Sequence, residues 1–206
     1  MPKDSGAQFT TTILHRATLD QRSFNPAGLT LALGMGLTLE EARAAAEPKP
    51  EKMFPQEGDR IQLIKGEWKG QFLRPEMLEL NARPVEAFPF DPRTEVLRTK
   101  NRLNRMLLVK LDPVEMDEAT AEHSAEGVLA YSAICTHRGC AIKTWKAEDS
   151  VMRCHADQTE FSALKGGEVV GGPATRSLPL APLGLDDEGF IVALGNFSDR
   201  PGAPRQ

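Results

Sequence analysis

Cysteine is scarce, with three in 206 residues. So few cannot build a disulfide scaffold, and an odd number leaves at least one thiol outside any internal bridge. Metal binding and inert burial are the roles left to them. An excess of basic charge is also missing: 25 Lys and Arg stand against 29 Asp and Glu, a net charge of −4. Binding a phosphate backbone needs a basic face, so no nucleic acid is expected as a partner. Long hydrophobic runs are absent too. The most apolar stretch, Ala27 to Leu39, is too short to cross a bilayer as a helix, which takes about 20 residues. There is no internal repeat and no low-complexity tract. What is present, 40% hydrophobic and 26% charged residues, is the composition of a soluble globular protein. The length suits one domain of roughly 150 residues with appendages.

Residues 1–20 are polar, lack an apolar period and read as an N-terminal tail. Residues 21–47 join Arg22 to the Ala27–Leu39 run, which Glu40 and Glu41 break before Ala44-Ala45-Ala46. A basic start, a short apolar core and small residues at its end are the parts of a secretory signal. "QRSF" is similar to a twin-arginine signal with Gln21 in place of its first Arg. The expectation is export to a periplasm or a comparable compartment, with a mature start near Glu47. The other reading is an uncleaved surface helix, which would associate the chain with a membrane. Residues 48–58 carry Pro48, Pro50 and Pro55 and read as a linker; residues 201–206 read as a C-terminal tail.

From Asp59 to Arg200 the chain breaks into short β-type runs divided by Gly, Pro and Asp. "RIQLIKG" alternates apolar and polar. "RMLLVKL" (Arg105 to Leu111), "GVLAYSAI" (Gly127 to Ile134) and "GFIVALG" (Gly189 to Gly195) are apolar strand candidates. "DPVEMDEATAEHSAEG" between them is polar and helix-prone. Closely spaced strands with turn residues between them predict a mainly β sandwich or small barrel. "CTHRGC" follows one of these strands directly. Cys135 and His137, two residues apart, can both point into one loop tip. Gly139 lets the next turn adopt a backbone conformation closed to other residues. His15 and His123 lie in polar segments and are incidental, while Trp68 and Trp145 read as packing residues.

"CTHRGC", then Cys154 in "CHADQTEF", then "GGPA" at 171–174 together resemble the Rieske iron–sulfur family. The resemblance extends from Asp59 to Arg200. It implies a β-sandwich of antiparallel sheets whose loops hold a [2Fe–2S] cluster. In that family one loop supplies Cys-x-His and a second Cys-x-x-His; the cysteines bind one iron and the histidines the other. A Pro-containing third loop, here Gly172-Pro173-Ala174, covers the cluster. The second loop departs from the pattern, because Asp157 stands three residues after Cys154 where the family has His.

Two registers follow from the resemblance. In the first, Cys154 is the ligand, Asp157 replaces the second His, and Ala156 replaces a cysteine that would pair with Cys140. In the second, Cys154 forms a disulfide with Cys140, His155 is the ligand and Met152 takes the ligand-cysteine position. Family members carry an aromatic residue four positions after the ligand His. Phe161 lies four after Asp157 but six after His155, which favours the first register. Thr159 then falls where a Ser hydrogen-bonds the cluster, and Phe161 where many relatives have Tyr. The expected metal ligands are Cys135, Cys154 and His137, with Asp157 or His155 as the fourth.

The function this implies is one-electron transfer, as the redox subunit of an exported oxidoreductase or electron-transport chain. The expected partners are a redox protein such as a c-type cytochrome, or a quinol. The chain is not expected to be a catalyst by itself, and 206 residues leave no room for the mononuclear-iron domain of a ring-hydroxylating dioxygenase. An anionic oxygen donor in place of imidazole would favour Fe(III) and lower the potential. The same Asp, and the missing disulfide cysteine, suit a second expectation: a cluster-free relative kept as a structural or docking subunit. Two Cys, one His and one Asp would also suit a single zinc ion.

Overall fold

The computed structural model describes residues 49–204. The tail and signal-like segment expected over residues 1–47 lie outside the described residues.

Strands β4 (Met106–Lys110) and β5 (Val128–Ser132) pair antiparallel, from Met106 opposite Ser132 to Lys110 opposite Val128. Side chains alternate across a strand, so each of these strands feeds two cores. Leu107, Val109, Leu129, Tyr131 and Ala133 enter one; Met106, Leu108, Val128 and Ala130 enter the other. Burial on both faces is why both segments read as unbroken apolar runs. By contrast, β1 (Arg60–Leu63) buries only Ile61 and Leu63, as its alternating sequence predicts.

These strands belong to a large antiparallel sheet with β2 (Val85–Asp91), β3 (Val96–Leu97), β10 (Leu180–Ala181), β11 (Leu183–Leu185) and β12 (Ile191–Ala193). Its order is β10-β5-β4-β2-β1-β12-β11, with β3 also on β2. Pro89 lies inside β2, where a residue without an N–H would weaken a ladder. β4 pairs β2 only from Val85 to Ala87, and β3 takes over at Phe90. Pro89 falls opposite Arg98, whose N–H donates to Pro89 O at 2.9 Å and whose own carbonyl accepts from Asn104 Nδ2, so the missing N–H leaves no acceptor unpaired. A second sheet is the meander β6 (Ile142–Lys146), β7 (Val151–Cys154), β8 (Glu160–Ser162) and β9 (Glu168–Gly171). It is inserted in the chain between β5 and β10, and the core that holds Leu107 and Tyr131 also holds its Ile142, Met152, Cys154 and Phe161.

The polar excursion before β5 forms a single turn of helix, α1 (Glu118–Ala121), capped by Asp117, whose carboxylate accepts from the Thr120 N–H at 2.7 Å. The Pro-rich segment after Lys49 is docked on the large sheet. Lys100 N–H donates to Glu51 O, Asn104 Nδ2 to Met53 O, and Phe54 packs on the core. Arg98 anchors it from below: Nη1 donates to Pro50 O at 2.7 Å, while Nε and Nη2 donate to Asp59 at 2.6 and 2.9 Å and Nη2 to Asp91 at 3.0 Å. Arg98 and Asp59 are each 1% exposed. A charge so deep is tolerable only because planar guanidinium geometry lets it meet both carboxylates at once.

Candidate metal centre

The period of β5 carries past its end. Leu129, Tyr131 and Ala133 face the core shared with the small sheet, and Cys135, two residues on, faces it too. The loop from Cys135 to Cys140 is closed by Cys135 N–H to Cys140 O at 2.8 Å and Gly139 N–H to Cys135 O at 3.0 Å. Gly139 has φ 72°, a left-handed conformation that this turn requires. On the opposing side, Met152 and Cys154 share one face of β7, and Cys154 opposes Ile142 across the pairing. The second loop turns back at once: Gln158 N–H donates to Cys154 O, and Cys154 N–H to Thr159 O. Asp157 is held by its own turn, Oδ1 accepting the Thr159 N–H at 3.0 Å.

The two loops bring four sequence-predicted donors together. Sγ of Cys135, Sγ of Cys154 and a carboxylate oxygen of Asp157 lie within 4.8 Å of one another. Cys135 Sγ is 3.6 Å from Asp157 Oδ2, and His137 Nδ1 is 3.0 Å from that same oxygen. Both thiols are buried, Asp157 nearly so, and His137 remains partly open to solvent. His155 turns outward and is exposed; its carbonyl accepts from Gln158 Nε2. The three cysteines are free thiols, with no bond between Cys140 and Cys154.

The third loop closes the group from the side. Gly172 has φ 85°, and a Cβ there would lie 2.5 Å from Thr159 Cα and 2.8 Å from its N. Only glycine permits that approach. Pro173 is exposed at the loop tip and Ala174 is buried beneath it. Phe161 is fully buried behind Cys154, opposite Met152. The Thr159 hydroxyl is buried beside the Asp157 carboxylate but makes no well-aligned hydrogen bond, a cost that an acceptor seated in the group would remove.

Burial pushes the Cys135 thiol up, and that of Cys154 up to about 12. Burial also pushes Asp157 up, but the Thr159 amide, the nearby Thr159 hydroxyl and the His137 ring outweigh it and hold the carboxyl well below its usual range. At neutral pH the carboxylate is thus charged while both thiols keep their protons, which a metal must displace on binding.

The family model of the Rieske [2Fe-2S] domain matches residues 97–182. A candidate respiratory nitrate reductase Rieske subunit of Haloferax mediterranei is 30% identical over 189 residues, covering 89% of this chain and 80% of that protein. The chain belongs to the Rieske [2Fe–2S] family. The cytochrome bc1 complex Rieske iron-sulfur subunit of Streptomyces lividans is 37% identical over 98 residues, 47% of this chain; the chain spans 58% of that subunit's length. Among solved structures, the soluble domain of Rieske protein II (soxF) from Sulfolobus acidocaldarius is 30% identical with a TM-score of 0.34, covering 39% of this chain and 47% of that one. The matched segment runs from β3 past the third loop, and so includes every donor described above.

The family's cofactor is a [2Fe–2S] cluster, and the donor set fits one. Two buried thiols would supply sulfur ligands, and an imidazole nitrogen beside a carboxylate oxygen would supply an N/O pair. The Thr159 hydroxyl and the cradle at Gly172 add a hydrogen-bond donor and a closing wall. These residues are the ones the resemblance implied, with Asp157 and His155 left as alternatives for the fourth position. Thr136 and Arg176 were missed, because their part depends on contacts between distant segments: Thr136 Oγ1 donates to Arg176 O at 2.7 Å, tying the first loop to the third.

Proposed function

We propose that this chain moves single electrons as the redox subunit of an exported oxidoreductase, with Cys135 and Cys154 on one iron and His137 and Asp157 on the other. Electron transfer through a Rieske-type cluster is the family's activity, and a bound cluster supplies that one-electron step. The protein's own residues set its terms. Buried Met152, Phe161 and Ile142 keep water from the sulfur side. His137, 28% exposed, is the donor residue through which an electron would leave to a docked partner. The observation that carries the assignment is the meeting of His137 Nδ1 with Asp157 Oδ2 at 3.0 Å beside the two thiols.

The relatives support a larger complex as the setting: one is named for cytochrome bc1 and one for respiratory nitrate reductase. A c-type cytochrome or a quinol is the partner chemistry proposed on that ground. Export is proposed from the signal-like segment; among the described residues no helix is long and apolar enough to cross a membrane.

Iron and acid-labile sulfide, measured with a visible spectrum on anaerobically purified protein, test the proposal. About two irons and two sulfides per chain are expected. Folded protein that stays colourless after reconstitution would make the chain a docking subunit. Zinc without sulfide would assign the donors to a single ion, which their close spacing would also suit.

A further inference from the structure

The cross-link that the family resemblance implies between the first and second loops is missing, since Cys140 is free and Ala156 stands where its partner would be. The first loop is held from outside instead, by the last described residues. Pro201 and Gly202 are buried. Gly202 has φ 84°, and a Cβ there would lie 3.2 Å from Leu103 and 3.6 Å from Ile134, the residue before Cys135. On the loop's other flank, a Cβ at Gly139 would lie 3.3 Å from the Arg102 guanidinium and 3.7 Å from Ala203 N. Arg102 donates to Gly139 O at 3.1 Å.

Arg176 latches this segment to the metal loop. Its Nη1 donates to Asp199 Oδ2 at 2.6 Å and its Nη2 to Gly202 O at 2.6 Å. Its own carbonyl accepts the hydroxyl of Thr136, which sits between Cys135 and His137 and is 2% exposed. One residue thus grips the terminal segment with its side chain and the ligand loop with its backbone. The part-buried bond to Gly202 O is the stronger hold, because Asp199 is 57% exposed and solvent screens its ion pair.

We infer that Asp199–Pro204 is a strap that takes over the missing cross-link's work on the first loop, and that Arg176 is a positioning residue for Cys135 and His137. The consequence at the metal rests on the electron-transfer proposal above; the brace itself does not. Arg176→Gln and Arg176→Lys in the full chain test it, by hydrogen–deuterium exchange across residues 134–140, iron release to a chelator, and thermal unfolding. In Arg176→Gln, loop exchange and iron release should both quicken by about tenfold, as expected for loss of a charge-assisted hydrogen bond. Exchange in β4 and β5 should stay unchanged, and Arg176→Lys should recover part of the loss by keeping the charge on Asp199. Wild-type exchange in the first loop of Arg176→Gln overturns the strap. Loosening of β4 and β5 to the same degree, with a matching fall in unfolding temperature, overturns the positioning role. If wild-type protein holds no iron, the electron-transfer proposal fails while loop exchange still decides the strap.

Discussion

A carboxylate at position 157 changes the charge of the site as well as its shape. Imidazole is a neutral ligand, whereas Asp157 is held ionised by the Thr159 amide, the nearby Thr159 hydroxyl and the His137 ring despite its burial. An added negative charge stabilises the oxidised state. One such charge is expected to lower the midpoint potential by on the order of 100 mV, ~59 mV being a tenfold change for one electron. Redox titration of Asp157→His should therefore show a raised midpoint, and its reduced-state electron paramagnetic resonance spectrum should move toward that of a two-His cluster. Asp157→Ala should weaken cluster retention. His155→Ala should change little, because His155 faces solvent. Cluster loss in His155→Ala with retention in Asp157→Ala would hand the fourth position to His155.

At the scale of elements, the site depends on how closely the third loop lies against the second. Gly172 and Gly66 both have positive φ, but a Cβ at Gly66 meets nothing within 4 Å, whereas one at Gly172 meets Thr159 backbone at 2.5 Å. Alanine at either position pays about 1 kcal/mol for the left-handed conformation. Only Gly172→Ala must also push the two loops apart, adding roughly 1–3 kcal/mol. The visible spectrum and unfolding midpoint of both variants check this. Gly66→Ala should keep the wild-type spectrum, and Gly172→Ala should lose intensity and fall further in midpoint. Equal effects would mean that the close approach at Gly172 does not matter to the site.

The whole molecule hangs together at a place far from any donor in the chain. Arg98 joins Asp59, at the entry to β1, to Asp91, at the end of β2, and holds Pro50 O as well. Arg98→Met would remove the buried cation that two buried carboxylates share, leaving Asp59 only the Gln56 N–H and Asp91 only Arg93 at the surface. A loss of about 3–5 kcal/mol is expected, a fall on the order of 10 °C in a domain of this size, read by calorimetry. Replacing Arg98, Asp59 and Asp91 together with apolar residues should recover most of it, and failure to recover would point to a cost other than unpaired charge.

Acid should act on the same scale. Burial pushes Asp91 and Asp186 up, but neighbouring amides and the charges of Arg98 and Arg60 hold both below the ordinary value of 3.8. A carboxyl depressed in the folded state contributes stability that is complete above its unfolded value and is lost as pH falls through the folded one. Urea midpoints should stay level down to about pH 4 and drop below it. Asp186→Asn should flatten part of that drop.

The local parts of this fold were open to a reader of the sequence. Periodicity alone located the strands at Arg60–Leu63, Met106–Lys110, Val128–Ser132 and Ile191–Ala193, because burial on one face or two writes itself into neighbouring residues. The resemblance to the family pointed to Cys135, His137, Cys154, Gly172 and Pro173, through the short motifs that carry them. Other features have causes distant in sequence. β2 was hidden by Pro89, which is harmless because Asn104 Nδ2 takes the Arg98 carbonyl that Pro89 has no N–H to meet. Arg98 reads as any surface arginine until Asp59, 39 residues away, closes on it. Residues 201–204 read as a tail, and become a buried strap only through Arg176 and Ile134. Between Asp157 and His155 the chain offers two carriers for one position. It is the tight turn from Cys154 to Thr159, set against the first loop, that faces the carboxylate inward and the imidazole to solvent.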